Sequence, residues 1–382
     1  LQEEIGRQLK LQATASQLVL IRSLCALRLP PEQLIPALLG ALHGLIASRN
    51  NLFDWTDRRG QLVRYYYEGR IEPTIVRHYF DHFYNRREAE AMPPFSAAVS
   101  DSSAVRGAAE LNTPEFFRSA LYQEIWKPQG LHTRIEAIIR SPRGAPLGSL
   151  VLYRGPDDPP FSAHDETLLA AIVPYVARAL DCPAAEQVEF ALWPSAQEYL
   201  LIDDQGRLLQ ASENAYRMLL LAHDGITPDS AGRSPRREDF AVLKSLYARL
   251  SAPHGAVDVA ASTVVTNARG RFMFAAQPLA PLKPATERLM HVTMAHFESK
   301  ALAVHRAISL LPLSEGQRRV CAALYAGRRQ PEIALDFGVA PSTIDDHVKK
   351  IYTRLDVRST AQLRELVDAA IFSSGTMASA IR

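Results

Sequence analysis

The sequence predicts a multidomain α+β chain that ends in an all-α module, and three observations carry that reading. Twice within residues 1–298 the apolar residues switch between helical and strand periods, with turn-forming residues between the runs. From Leu313 onward only helical periods remain, punctuated by Gly327, Gly338 and two prolines. Within that last part, Pro331–Tyr352 reads as two short helices joined at Gly338 by a tight turn. Ala334 is small enough for a close helix crossing, while Ile333, Phe337, Val339 and Ile344 supply a shared apolar wedge. Pro331 and Pro341 sit at first helical positions, where the missing N–H is no loss.

Composition sets the frame. The 382 residues, 47% hydrophobic and 22% charged, suit about two to three globular domains. A formal net charge of +2 neither supports nor opposes nucleic acid as a partner, because phosphate attraction depends on where charge lies. Cys25, Cys182 and Cys321 are far apart and form no CxxC pair, so neither a disulfide framework nor a cysteine zinc cluster is expected. No apolar run approaches the roughly 18 residues of a membrane span, and Leu18–Leu29 is interrupted by Arg22 and Arg28. The expectation is a cytoplasmic protein with no membrane partner.

Two helices open the chain, Leu9–Leu29 and Glu32–Ala47, separated by Pro30 and Pro31. A hairpin follows, Leu52–Thr56 and Leu62–Tyr67 around Asp57–Gly60, then an aromatic helix from Ile75 to about Glu90. Ser96–Asn112 is small and polar enough for a mobile loop or lid. Thr133–Arg140 and Leu147–Tyr153 form a second hairpin, and Phe161, Ser162 and Asp165 begin a helix that runs to Leu180.

That order of elements, the strand Gly148–Tyr153 and the helix start at Phe161, Ser162, Asp165, Leu168 and Leu169 resemble a GAF domain over residues 1–182. The resemblance implies a small-molecule effector held between the sheet and its covering helices. Candidate pocket residues are then Trp55, Tyr65, Tyr67, Tyr79, Phe83, Phe116, Phe117, Tyr122 and Trp126. Taken singly, each aromatic reads more simply as core, and it is their density along one stretch that points to a pocket. His78 and His82 stand four apart on the aromatic helix, but no third ligand is placed near them, so no metal or other cofactor is expected.

After the break at Asp181–Ala185, Glu198–Ser212 reads as strand, turn, strand, and Glu213–Ala222 as a helix. Ser262–Ala276 forms a hairpin about Asn267–Gly270, and Leu289–Phe297 a final strand. This order, with the helix Asn214–Leu219 following Leu208–Ser212, resembles a PAS domain over residues 183–298, without the cysteine motif of flavin photosensors. Thr227–Glu238 reads as a polar loop whose Arg233, Arg236 and Arg237 form a solvated face. Ser299–Leu311 is helical and ends at Pro312, giving a linker helix over 299–312.

Leu313–Gly327 is a helix capped by Ser314, with Gln317 three residues on as a capping box. With Glu332–Ala334, Thr343, Ile344, His347, Ile351, Tyr352, Arg354, Leu355 and Val357–Ser359, residues 313–372 resemble the LuxR-type, GerE-like helix-turn-helix domain. The resemblance implies a transcriptional regulator whose second helix, about Pro341–Leu355, enters the major groove of double-stranded promoter DNA. It places Asp345, Asp346 and Lys349 at base edges, and Thr343, His347, Lys350 and Arg354, with Arg329 and Gln330, at phosphates. Ile344, Val348, Ile351 and Leu355 form one apolar stripe and read as core. The last helix, Thr360–Phe372, carries Leu363, Leu366, Val367 and Ala370 on a stripe that in this family packs two domains together, implying a homodimer, and an activator would also meet RNA polymerase. Residues 373–382 read as a flexible tail.

The sequence departs from the family pattern where glutamate is usual at Gln317, serine or threonine at Ala340 and lysine at Asp345. Over 313–368 nine basic residues (318, 319, 328, 329, 349, 350, 354, 358, 364) meet eight acids (315, 332, 336, 345, 346, 356, 365, 368), so non-specific affinity for DNA should be modest. Asp345 and Asp346 suit the helix dipole and can accept from cytosine N4, yet they repel phosphate. The expected function is a ligand-responsive regulator sensing a small apolar or aromatic molecule. An alternative is an antagonist that binds another protein through the acidic helix. Catalysis is not expected, because no nucleophile and base spacing or phosphate-binding glycine loop stands out.

Overall fold

The computed structural model describes residues 2–70, 72–92, 103–184, 188–223, 240–250, 261–280 and 289–380, without the side chains of residues 2–11, Asn85 and 374–380. Helices α1 (Gln2–Cys25) and α2 (Pro31–Leu42) lead into the hairpin β1 (Asn50–Thr56) and β2 (Leu62–Tyr67). Its turn is locked by Asp57, whose carboxylate accepts from the backbone N–H groups of Arg59 and Gln61, both at 2.8 Å. Helix α3 (Pro73–His78) continues as a π-helical stretch, Tyr79–Arg87, into α4 (Glu88–Ala91). The expected aromatic helix is therefore present, but wound wider in its middle, which turns Tyr79, Phe80 and Tyr84 toward one cavity.

Part of the stretch expected to be a loop or lid is structured. Among Ser96–Asn112, residues 96–102 lie outside the described residues, whereas Val105–Arg106 forms β3 and Ala108–Leu111 forms α5. The physical reason is pairing: Val105 and Arg106 add to the free edge of β4 (Thr133–Arg140) opposite Ala137 and Glu136. Helix α6 (Pro114–Arg118), a π turn at Tyr122–Trp126 and a 3-10 turn at Lys127–Gln129 precede β4, which pairs with β5 (Pro146–Arg154). Helix α7 (Ala163–Asp181) starts where the sequence places it and is closed by a capping box, with the Asp165 carboxylate accepting from the Ser162 N–H at 2.8 Å.

The first sheet is antiparallel, in the order β2-β1-β5-β4-β3. Strand alternation gives it two faces. Phe53, Ile135, Ala137, Ile139, Leu150 and Leu152 pack against α1, α2 and α7 in one core. Leu52, Asp54, Tyr65, Tyr67, Arg134, Glu136, Val151 and Tyr153 point the other way, toward α3, the π stretch and α4.

A second antiparallel sheet repeats that order. Strands β6 (Ala196–Ile202), β7 (Leu208–Ala211), β8 (Ala261–Asn267), β9 (Gly270–Pro278) and β10 (Met290–Phe297) run β7-β6-β10-β9-β8. Helices α8 (Glu213–Ala222) and α9 (Ala241–Leu250) cover one face, burying Phe272, Phe274, Val292, Met294, Leu219 and Leu243. Helix α9 was not foreseen from the sequence, and Thr227–Glu238, with its three arginines, lies outside the described residues.

Five helices complete the chain: α10 (Lys300–Leu310), α11 (Glu315–Tyr325), α12 (Gln330–Phe337), α13 (Pro341–Leu355) and α14 (Thr360–Ala380). The last runs on to Ala380, so the expected tail is helical over most of its length. Helix α10 belongs to two cores at once: Leu302 packs with the first sheet's helices, while Val304, Ala307 and Ile308 pack with α11–α14.

Buried polar contacts hold the parts together. Gln33 on α2, only 4% exposed, donates to the Ala268 carbonyl at the β8–β9 turn (3.1 Å) and accepts from the Ser299 N–H at the start of α10 (2.9 Å). The Arg217 guanidinium on α8 donates to the Glu68, Gly69 and Tyr67 carbonyls at the end of β2. Substituting Gln33→Ala strands the Ser299 N–H in the interior and releases the Ala268 carbonyl at an exposed turn. It should lower the unfolding free energy by about 1–3 kcal/mol, read as a reduced denaturation midpoint in a chemical unfolding titration.

Candidate nucleic-acid interface and buried cavity

In the C-terminal module the two short helices meet where the sequence places them. Gly338 ends α12 with φ +65°, and Ile333, Ala334, Ile344, Val348 and Ile351 are buried between α11, α12 and α13. Phe337 joins that core only in part, under the Arg319 guanidinium at 4.4 Å, and Val339 is 39% exposed rather than part of the wedge. Helix α11 is capped by Gln317, whose side-chain oxygen accepts from the Ser314 N–H at 2.9 Å. The same oxygen accepts from Arg354 on α13 at 3.2 Å, so this amide braces α13 against the start of α11.

One face of α13 is left open. Ser342, Asp345, Asp346, Lys349 and Thr353, spaced three, four, seven and eleven residues along the helix, are all exposed, and Thr343 and Lys350 flank them. Ser342 was not among the residues foreseen for this surface, although helical spacing from Asp345 and Lys349 points to it. Three of the foreseen phosphate residues are otherwise engaged. His347 is half-buried against Gly316, with its Nδ1 enclosed, because its position on the helix points at α11. Arg354 is held by Gln317, and Arg329 by Glu332 at 2.8 Å.

At the start of α13 lies a cleft of about 610 Å³ bordered by Arg328, Arg329, Gln330, Pro341, Asp345, Thr360 and Arg364. Ala340 gives the helix no side-chain cap, Pro341 at its start has no N–H, and the Thr343 N–H bonds the Ala340 carbonyl at 3.0 Å. Arg364 was not foreseen here, since it reaches the cleft from α14, a separate helix. The stripe expected at a dimer contact is used within the chain instead. Leu363 and Val367 are completely buried, and Leu366 and Ala370 half-buried, against α10 and α11, because α10 occupies the groove they would offer a partner.

The second candidate site is a cavity of about 220 Å³ on the outer face of the first sheet. Of the nine aromatics foreseen as its lining, Tyr65, Tyr67, Tyr79 and Trp126 border it, joined by Phe80, Tyr84 and Tyr153. Trp55 does not, because its neighbour Asp54 takes the cavity side and strand alternation turns Trp55 to the opposite face, under the Arg64 guanidinium at 4.5 Å. Phe83, Phe116, Phe117 and Tyr122 form an aromatic cluster behind the wall, with Phe116 and Phe83 each 1% exposed.

The cavity wall is more charged than the aromatic pattern suggests. Asp54 on β1, Arg134 and Glu136 on β4, Arg106 on β3 and Glu88 on α4 all border it. Arg106 pairs with Glu136 at 3.3 Å, and the Tyr79 hydroxyl donates to Glu88 at 2.8 Å. Burial pushes the Asp54 carboxyl up to about 8, reinforced by the negative charge of Glu136 and Glu88 and opposed by a hydrogen bond from Ser149. The Arg134 guanidinium lies 4.8 Å from the Phe116 ring centre and 4.6 Å from that of Trp126. Its Nη2 donates to the Met92 sulfur at 2.9 Å, and its Nη1 is enclosed without a partner.

Comparison with known proteins places the C-terminal module. Residues 311–367 match the family described as "Bacterial regulatory proteins, luxR family", so this segment is a LuxR-type helix-turn-helix domain. No curated protein matches the chain. Among solved structures, VqmA of Vibrio cholerae in the absence of target DNA is 15% identical, covering 46% of this chain and 84% of that one at a TM-score of 0.17. VqmA of the same species in a ligand–DNA complex is 15% identical over 46% and 83%, TM-score 0.20. The Escherichia coli DhaR(N)–DhaL complex is 15% identical over 74% and 89%, TM-score 0.24.

Because the Asp54 carboxyl titrates near 8 in the fold and in the ordinary carboxylate range when unfolded, the folded chain holds an extra proton between those limits. Its protonated form is tolerated at low pH, and stability falls as pH rises toward about 8. Asp54→Asn should remove that decline. Thermal unfolding of variant and wild type should diverge progressively from the ordinary carboxylate range up to about pH 8 and run parallel above it.

Proposed function

We propose that this chain is a ligand-responsive transcription regulator, in which a GAF-like unit holds a small molecule and a LuxR-type domain binds promoter DNA. The observation that carries the reading is the match of residues 311–367 to the luxR family of bacterial regulatory proteins, on a segment whose α13 leaves a polar face open. In this reading α13 lies in the major groove, with Ser342, Asp345, Asp346 and Lys349 at base edges. Phosphates are held by Thr343, Lys350 and Arg364, and by the uncapped helix start, with Arg328 and Arg329 exchanging Asp336 and Glu332 for DNA.

The sheet order shared by the two N-terminal units, second-first-fifth-fourth-third, supports the GAF-like and PAS-like assignments. The aromatic-lined cavity of the first unit supports a small effector rather than a phosphorylation switch. Signal passes through α10, which packs into both the first unit's core and the DNA-binding module's core. Two copies would present two α13 helices to half-sites about one DNA turn, roughly 34 Å, apart. Since the α14 stripe is engaged within the chain, such a homodimer requires another surface or a release of α14 from α10.

Fluorescence anisotropy with a promoter duplex tests the DNA reading. Lys349→Ala should weaken specific binding by about five- to hundredfold, matching a groove contact of roughly 1–3 kcal/mol. Affinity unchanged by that substitution at every salt concentration contradicts the groove assignment, and absence of any sequence-specific binding favours protein antagonism through the acidic helix. Replacing both acids, Asp345→Asn with Asp346→Asn, should raise affinity for non-specific duplex, most strongly at low salt where phosphate repulsion is least screened.

A further inference from the structure

We propose that the cavity of the first unit takes a small ring compound bearing a carboxylate or a comparable acidic oxygen group, which the Arg134 guanidinium receives. This inference rests on the ligand-sensing reading above and names the chemistry of its ligand. The polar groups of the wall decide between an acid and an amine. Glu136 already pairs with Arg106, and Glu88 accepts from the Tyr79 hydroxyl. Asp54 accepts from Ser149 at 3.3 Å and holds its proton at neutral pH. The carboxylates therefore make little demand for an added cation.

Arg134 is different. It is 3% exposed, no carboxylate lies within 4 Å of it among the described residues, and its one polar side-chain contact there is a weak sulfur acceptor. Its Nη1 is enclosed with nothing to donate to. A buried, unmatched guanidinium N–H is destabilising, and an oxygen anion placed against it supplies the missing acceptor. Phe116 and Trp126 contact the guanidinium through their rings, which fixes the side chain before any ligand arrives.

Size and lining narrow the class further. At about 220 Å³ the cavity is smaller than the roughly 300–1,000 Å³ that drug-sized ligands occupy, so a single ring with a short acidic substituent suits it. Tyr65, Tyr67, Phe80 and Trp126 offer ring faces and edges for that ring. On the far part of the same wall, the Asp54 proton removes one negative charge from the cavity that the incoming anion enters. Glu136 and Tyr153 from the sheet, Tyr65 from β2 and Glu88 and Tyr79 from the covering helix are the other titratable groups facing Asp54, with Arg106 and Arg134 as the cations bordering the same cavity.

Titrations of the full chain with benzoate, benzamide and benzylamine, read by tryptophan fluorescence and calorimetry, test the proposal. Benzoate should bind best and benzylamine worst, a ranking that needs no variant. Arg134→Gln should weaken benzoate about ten- to hundredfold while changing benzamide little, and Arg134→Lys should recover part of the loss. Benzoate binding to wild type should also weaken as pH rises through about 8 and lose that dependence in Asp54→Asn.

Benzylamine binding as tightly as benzoate, equal benzoate affinity in Arg134→Gln, or binding of none of the three probes overturns the proposal. Duplex affinity measured alongside separates it from the regulatory reading. Arg134-dependent benzoate binding with no effect on DNA contradicts regulation and leaves the acid pocket standing. Benzamide or benzylamine altering DNA affinity where benzoate does not leaves regulation standing and removes the acid.

Discussion

Helix α10 cannot be assigned to one part of the chain, and much of the architecture follows from that. Its Leu302 side is packed into the core under the first sheet, and its Val304, Ala307 and Ile308 side into the core of the C-terminal helices. Close packing leaves such a helix little room to move on one side without disturbing the other. The start of α10 is fixed by Gln33, which spans α2, the β8–β9 turn and the Ser299 N–H, and its middle by the 2.8 Å contact between His305 and Ser23 on α1. A shift of α2 or of the β8–β9 hairpin is therefore felt at the N-terminus of the helix on which the DNA-binding module is built.

The first sheet's two faces do opposite jobs. One is a dry core of Ile, Leu and Phe against α1, α2 and α7. The other carries ionisable side chains in a confined space, a costly arrangement that proteins sustain where groups are paired or await a partner. Arg106 with Glu136, and Tyr79 with Glu88, are paired, whereas Arg134 retains an unmatched N–H. The strand β2 that lines this cavity is also where Arg217 of the second unit fastens, through the carbonyls of Tyr67, Glu68 and Gly69. The wall of the pocket and the attachment of its neighbour are thus one strand.

At the C-terminus, the open face of α13 carries two acids and two lysines within six residues, and of the three arginines at the helix start Arg328 pairs with Asp336 and Arg329 with Glu332, so the local charge is close to balanced. Gln317 substitutes for a carboxylate at the capping position and still accepts from both the Ser314 N–H and Arg354. A neutral amide keeps the cap and the brace without adding a third acid to this surface.

Local rules made a large part of this molecule legible in advance. Strand pairs flanking Asp57–Gly60 and Asn267–Gly270, the helix start at Ser162, the cap at Ser314, the turn at Gly338 and the apolar stripe of Ile344, Val348 and Ile351 all depend on residues a few positions apart, so the sequence by itself determined them. Tertiary structure alone decided which groups meet across elements. It set Trp55 and the Phe116 cluster outside the cavity while bringing in Arg134, Asp54 and Tyr153. It also turned His347 inward, carried Arg364 to the cleft, and covered Leu363 and Val367 with α10. The reason is that spacing along a chain fixes the face a side chain takes, whereas what that face encounters depends on strand register and helix packing between residues far apart in sequence.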